Sequence, residues 1–387
     1  MINEKYNLEI KLRIEDIEKS AWNNLAKKIN NPFFEWDWLF NLETSKSVSQ
    51  KTGWQPLYFL LYLDKELLGI APLFLKNHSY GEFIFDQSFA RLAQDLNLAY
   101  YPKLIGMSPY SPIEGYQFIY KENSDKLEIT ELLLKYIEVF AKNNNILSCN
   151  FLYIDKEWEK IITKHNYHKW INTRSQWDSI GEENFEEFLN RFNSNQRKNI
   201  KKERKSINNQ KIRIKVFTEN NIDENLMKSM HFFYEQHCLR WGVWGSKYLT
   251  DDFFKNSIKT KDNLIIFSAF EETSIKPIAM SMCVKNKENL WGRYWGSLKE
   301  INYLHFELCY YQPIEWAIKN KIKYFDPGAG GQHKRRRGFY AKETNSFHKW
   351  FNYSMENIII NWLNKVNQET LITIEDENNS VPFKNIL

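Results

Sequence analysis

Two stretches far apart in the chain repeat one plan, and this duplication constrains the fold more than any other feature. Leu57 to Lys76 (LYFLLYLDKELLGIAPLFLK) and Ile265 to Lys285 (IIFSAFEETSIKPIAMSMCVK) each read as a β-hairpin. In both, an apolar strand leads through a charged turn into a second strand that opens on Gly69-Ile70-Ala71 or Pro277-Ile278-Ala279, the residue types that favour a pleated, half-buried surface. Gly69 and Pro277 lie 208 positions apart, as do Phe59 and Phe267. A second pair follows in the same order: Tyr136 to Ile146 (YIEVFAKNNNI) matches Pro313 to Ile322 (PIEWAIKNKI), each a helix end running through Lys-Asn into an apolar strand. Those strands are Leu147 to Ile154 and Lys323 to Phe325. Hairpin, helix and strand used twice predict a mixed α/β chain of two similar domains, 1–175 and 176–387.

A length of 387 residues suits two domains of ordinary size. With 14 Trp, 21 Tyr and 27 Phe the chain can fill two cores, which excludes disorder. The 53 Lys and Arg against 48 Asp and Glu leave a net charge of only +5, so any attraction to an anionic partner has to be local. Cys149, Cys238, Cys283 and Cys309 have no C-x-x-C spacing and read as reduced thiols. Charged residues at Glu4, Lys5, Glu9, Lys11 and Arg13 stand where a signal peptide needs an apolar run, and no apolar stretch nears the ~20 residues of a membrane span. A cytoplasmic protein without a membrane span is expected.

Between the halves, Phe185, Phe188, Leu189 and Phe192 recur at helical spacing and form one apolar stripe. The helix is expected to continue to Ile207 through RKNIKKERK, where Arg197, Lys201 and Arg204 share a face beside Lys198, Lys202 and Lys205. Such a face is either a solvated surface or a cationic ridge for phosphates. The densest group of unusual residues is DPGAGGQHKRRRGF, after the strand ending at Phe325. Gly328, Gly330 and Gly331 allow backbone amides to converge on an anion, and Lys334, Arg335, Arg336 and Arg337 add positive charge. The spacing of a Walker A loop is absent. His305, Glu307, His333 and His348 supply candidate bases, since an imidazole titrates near neutrality. His305 and Glu307 lack the P-C-x-x-C partner that a zinc deaminase requires, so no metal is expected. Pro313 is expected to begin a helix, where its missing N–H costs nothing.

RYWGSLKEINYLHFELCYYQPIEWAI, FDPGAGGQHKRRRGF and QRKNIKKERK together resemble the FemAB-like peptidoglycan biosynthesis/recognition proteins of the GNAT acyltransferase superfamily. ARLAQDLNLAYYPKLIGMSPYSPIEG resembles that family's YYPKL and P-(F/Y)-(T/S)-P segment, and Ser346 with His348 its S-x-H element. The resemblance implies two tandem GNAT-like domains. It also implies acyl transfer to an amine, from acyl-CoA or from aminoacyl-tRNA, with no tightly bound cofactor. The motif positions carried over are Arg293, Tyr294, His305, Glu307, His333, Lys334, Arg337, Gly338, Ser346 and His348 in the second half, and Tyr101, Pro102, Lys103 and Leu104 in the first. Three positions depart from the family pattern: Gln332 stands where the family has Glu, Tyr116 and Gln117 follow Gly115 where it has Arg, and Asn150 stands where it has His.

These readings combine into an expected N-acyltransferase in which an amine attacks a thioester or ester carbonyl near Gly328 to Gly338, at the interface of the halves. His305 or His333 takes the proton, supported by Glu307 or Asp326. Lys334 and the glycine-loop amides hold the oxyanion, and Arg335 to Arg337 with the Arg197 and Lys201 ridge hold phosphates. The acceptor is a small molecule or a cell-wall precursor, and the oligomeric state is left open. The alternative is a non-catalytic binder of a precursor or RNA on the same scaffold.

Overall fold

The computed structural model describes residues 5–242 and 245–384; the side chain of Gln332 lies outside the described residues. The chain divides into two compact units. The first takes the described residues of Met1–Asn172 together with Thr344–Thr370, and the second those of Thr173–Glu343 with Leu371–Leu387. The return of Thr344–Thr370 to the first unit is not contained in a simple cut at 175.

In the first unit the strands are β1 (Tyr6–Lys11), β2 (Trp54–Leu63), β3 (Glu66–Lys76), β4 (Lys103–Gly106), β5 (Ile119–Tyr120) and β6 (Ser148–Phe151). β1, β2, β3 and β4 pair antiparallel in sequence order, β5 pairs with β3, and β6 joins β4 in parallel. A parallel neighbour needs a crossover, and helix Lys126–Asn143 supplies it. In the second unit, after β7 (His168–Asp178), come β8 (Ile212–Thr218), β9 (Leu264–Glu271), β10 (Pro277–Lys285), β11 (Asn289–Ser297) and β12 (Tyr324–Asp326). β8 to β11 again pair antiparallel in order and β12 joins β11 in parallel, this time after a helical run from Leu304 to Lys319. A mixed α/β architecture used twice, once in each unit, is therefore built into the strand order itself.

The repeat holds in detail. The helix before β6 ends with Asn145 at positive φ and Ile146 N–H donating to Ala141 O at 2.9 Å; the helix before β12 ends with Lys321 at positive φ and Ile322 N–H donating to Ala317 O at 2.9 Å. This is the same helix-ending turn, closing orphan carbonyls in both copies. The hairpins differ at the tip, where 64–65 joins β2 to β3 but 272–276 joins β9 to β10. Phe59 faces Ala71, whereas Phe267 faces Ser281 rather than Ala279. A slip of two residues keeps every side chain on its original face, so the core survives it.

The last strand of each unit comes from elsewhere in the chain. The end of β7 pairs with β12 in the second unit (Phe325 opposite Trp177), and the end of β13 (Tyr340–Trp350) pairs with β6 in the first (His348 opposite Asn150). The expected helix from Phe185 to Ile207 is two helices, Phe185–Asn190 and Ser194–Asn209. Asn193 breaks it by capping the second one, its side chain accepting Gln196 N–H at 2.9 Å. The predicted apolar stripe is buried against Trp177, Tyr311 and Phe383. Burying each of those Phe rings contributes about 1.5–3 kcal/mol. Pro313 stands in the first turn of Gln312–Lys319 as expected, but that segment continues a helix through a π turn at Glu307–Tyr311. The wider turn lets the chain run into a proline that has no N–H to donate.

Candidate active site

In the second unit the loop after β12 is shaped by glycine. Gly328, Gly330 and Gly331 have φ of +90°, +75° and +89°, and a Cβ on Gly331 would lie 2.4 Å from Cε1 of His333. Asp326 starts the loop by accepting Gly328 N–H at 2.8 Å. Lys334 closes it from beneath: its buried ammonium donates to Gly328 O at 2.6 Å and Ala329 O at 3.1 Å. Burial lowers the Lys334 pKa to about 8, with Asp326 opposing. Two of its three donors are thus engaged and one remains.

The π turn brings a second group of side chains against His333 of this loop. Tyr310 projects from the turn, and its hydroxyl lies 2.9 Å from His333 Nε2. The ring of His305, in the preceding turn, is 6.1 Å from that of His333 and 5.2 Å from that of Tyr310, with Trp295 of β11 at 5.2 Å on its other side. Burial pushes His305 down to about 3, reinforced by His333 and Lys334. His333 is solvent-exposed at one side; burial of the rest, then Arg337 and Lys334, lowers it more modestly. His305 is neutral at pH 7, and the downward shift of His333 favours its neutral form as well.

The remaining predicted residues separate. Glu307 turns away from the imidazoles and accepts from Arg204 at 3.0 Å and Gln312 at 2.8 Å, and Arg204 also reaches Glu315 at 2.7 Å. Arg337 is buried with Glu203 at 2.9 Å and lies 3.4 Å above the Phe306 ring, while donating to His333 O at 2.9 Å. Arg335 is buried against Glu377 at 2.9 Å and Phe339 O at 2.8 Å. Of the basic run only Arg336 is exposed, its carbonyl held by Gln196 at 2.7 Å. Gly338 has φ of +81° and sits under Phe192 and Phe383. Arg293 is the extra residue of a bulge where β11 shifts register against β10, and Tyr294 packs on Tyr234 and Phe254. On helix Ser194–Asn209, Arg197 donates to Asn190 at 3.3 Å and Lys201 to Glu186 at 2.7 Å. Lys198, Lys202 and Lys205 are exposed and have no carboxylate partner among the described residues.

Tyr101, Lys103, Ser346 and His348 belong to the first unit. Lys103 is wholly buried, donating to Glu82 at 2.8 Å, to Ser79 at 2.9 Å and to Asp86, which also accepts Tyr100 OH at 2.6 Å. Tyr101 OH meets Ser79 Oγ at 2.8 Å. His348 lies between Asn150 Oδ1 and Ser346 Oγ, each at 2.8 Å. Asn150 donates to Leu104 O and Ser148 Oγ, so its carbonyl faces His348 Nδ1 and puts the proton there. Burial lowers His348 to about 3. The departure at Asn150 therefore has a defined role, fixing the tautomer of His348. Glu82, Asp86 and Tyr310 went unmarked in the sequence: the two acids sit in an irregular segment, and the π turn puts Tyr310 at a spacing that helical periodicity does not anticipate.

Among the described residues no group of three or more His, Cys, Asp and Glu could hold a metal, and no helix is long and apolar enough to cross a membrane. A profile for the FemAB-like family, described as peptidoglycan biosynthesis/recognition, matches residues 13–385. No curated protein matches the sequence. Among solved structures, FemX aligns with a TM-score of 0.53 and 13% identity over 91% of this chain and 100% of its own. L-PGS from Bacillus licheniformis aligns with a TM-score of 0.50 and 8% identity over 83% of this chain and 93% of its own. At these identities the likeness is one of fold.

Proposed function

The chain belongs to the FemAB-like family, and from that premise we propose that it transfers an acyl or aminoacyl group to an amine of a small molecule or cell-wall precursor, with His333 as general base. The observation that carries this reading is the partly exposed, neutral His333 held between the Tyr310 hydroxyl and the glycine loop. In the tautomer whose Nε2–H donates to the Tyr310 hydroxyl, Nδ1 carries the lone pair that takes the proton of the attacking amine. The C–N bond forms as the carbonyl π pair moves onto oxygen; when that pair returns, the C–O or C–S bond of the donor breaks with its electrons on the leaving atom, which takes the proton back from His333. The third Lys334 donor and the loop amides are the groups suited to the tetrahedral oxyanion, each worth about 10²–10³ in rate. His305, at about 3, is too weak a base to share the task.

The donor is an activated carbonyl on an anionic carrier, which the exposed Lys198, Lys202 and Lys205 at i, i+4 and i+7 support. Thermal stabilisation by acyl-CoAs against that by aminoacyl-tRNA separates the two carriers, and product formation from the stabilising donor tests the transfer. Absence of transfer from either, with stabilisation retained, favours the non-catalytic binder. That second reading draws on Glu307, Arg335 and Arg337, whose charges are all taken up by partners within the fold.

A further inference from the structure

A cavity of about 550 Å³ lies in the first unit, between the end of β1, the 3₁₀ turn Ile14–Asp16, the end of helix Trp36–Thr44 and the start of β2. Its volume is in the range of small-molecule sites, roughly 300–1,000 Å³. Ile10, Leu12, Ile14, Phe40, Val48 and Pro56 give it apolar walls. Glu43 stands among them as a largely buried carboxyl, with Oε1 accepting Tyr58 OH at 2.5 Å and Oε2 accepting Ile14 N–H at 2.9 Å. Each oxygen keeps a further lone pair. The other charged lining residues are Glu15, Asp16, Lys11 and Arg13, two acids and two bases: Arg13 bonds Glu15 at 2.6 Å and Asp16 at 2.8 Å, while Lys11 bonds Glu9, which lies outside the lining, at 2.9 Å. An ionised Glu43 therefore leaves the lining negative, with apolar surface around it.

We propose that this cavity is a binding site for an organic ammonium ion, whose cation pairs with Glu43 and whose hydrocarbon body lies on Ile10, Leu12 and Phe40, the lining apolar side chains that keep accessible surface. The proposal is independent of the transferase reading, since it uses none of the residues of the second unit. Its chemistry carries a pH signature. Burial, opposed by the bonds from Tyr58 and Ile14 and aided by Glu15 and Asp16, raises Glu43 to about 7. An alkylammonium stays protonated up to about pH 10, so between pH 6 and pH 8 it is the carboxyl that changes form. Binding draws the carboxylate and releases its proton, so affinity rises with pH and levels off above the Glu43 pKa.

The test is isothermal titration of the full chain with 2-phenylethylammonium at pH 6, 7 and 8, beside the matched probes 2-phenylethanol and 3-phenylpropionate. Expected is binding of the ammonium alone, about tenfold tighter at pH 8 than at pH 6 because the carboxylate fraction of a group near 7 changes by that factor. Glu43→Gln keeps the shape and should abolish binding, and Thr44→Trp, at the exposed rim, should block entry without touching Glu43 or the core. A circular dichroism melt of each variant shows that it folds. Equal binding of the alcohol, ammonium binding unchanged in Glu43→Gln or unaffected by pH, or no ammonium binding at millimolar concentration overturns the proposal.

Discussion

His333 and Gly331 show how far one residue's chemistry depends on another's lack of a side chain. The imidazole can rest where it does because position 331 has no Cβ and tolerates φ of +89°. Gly331→Ala should destabilise the second unit by at least about 1–2 kcal/mol in urea unfolding, from the backbone conformation alone, and should also displace the base. His333→Ala should leave the melting temperature nearly unchanged, because the ring is partly exposed, and lower turnover by about 10²–10⁴. Full turnover in that variant removes His333 from the mechanism. His348 makes the opposite case, a histidine built in for structure. Its folded pKa, about 3, is below the unfolded value near 6.5. Above 6.5 the two states bind equal protons. As pH falls from 6.5 towards 3 only the unfolded chain takes one up, so stability is lost at about 1.4 kcal/mol per pH unit for this group. The stability difference between wild type and His348→Gln, measured by denaturant from pH 7.5 to pH 5, should shrink along that slope as the medium becomes more acidic.

At the scale of elements, the basic helix Ser194–Asn209 divides into two faces that its sequence does not separate. Arg204 turns inward, lying 4.4 Å from the Phe185 ring and holding Glu307, while Lys198, Lys202 and Lys205 face solvent. Arg204→Ala should cost about 3–5 kcal/mol, because it strips most of the compensation from a buried carboxylate, and Glu307→Gln in the same chain should recover part of the loss in urea unfolding. Neutralising Lys198, Lys202 and Lys205 should do little to stability and should flatten the salt dependence of binding to a polyanionic donor. The helix stripe, the hairpins and the twin helix-ending turns were legible because they rest on local periodicity and local turn chemistry. The partition of cations was not, since like charges at similar spacing become buried or exposed only according to which carboxylates the rest of the fold brings near.

At the scale of the whole molecule, the chain passes between units at 172–173, 343–344 and 370–371. Helix Tyr353–Asn379 serves both: Glu356 and Asn367 bond His168 and Ile171 in the first unit, and Glu377 and Asn378 bond Arg335 and Ala341 in the second. Truncation after Asn352 should therefore lower amide-exchange protection in both units. Protection lost in one unit alone would show that the helix stabilises only that one.

By itself the sequence determined the duplicated mixed α/β plan, the apolar stripe, the family and the glycine-rich loop with its histidines, because each is written in neighbouring residues or in motifs of fixed spacing. Tertiary structure alone decided that Glu307 pairs with Arg204 and not with an imidazole, that Arg335 and Arg337 spend their charge inside the fold, and that Asn150 sets the tautomer of His348. The reason is physical. A charged or titratable side chain takes its role from partners within a few ångströms, and the partners that decide these roles stand 42 to 198 residues away along the chain.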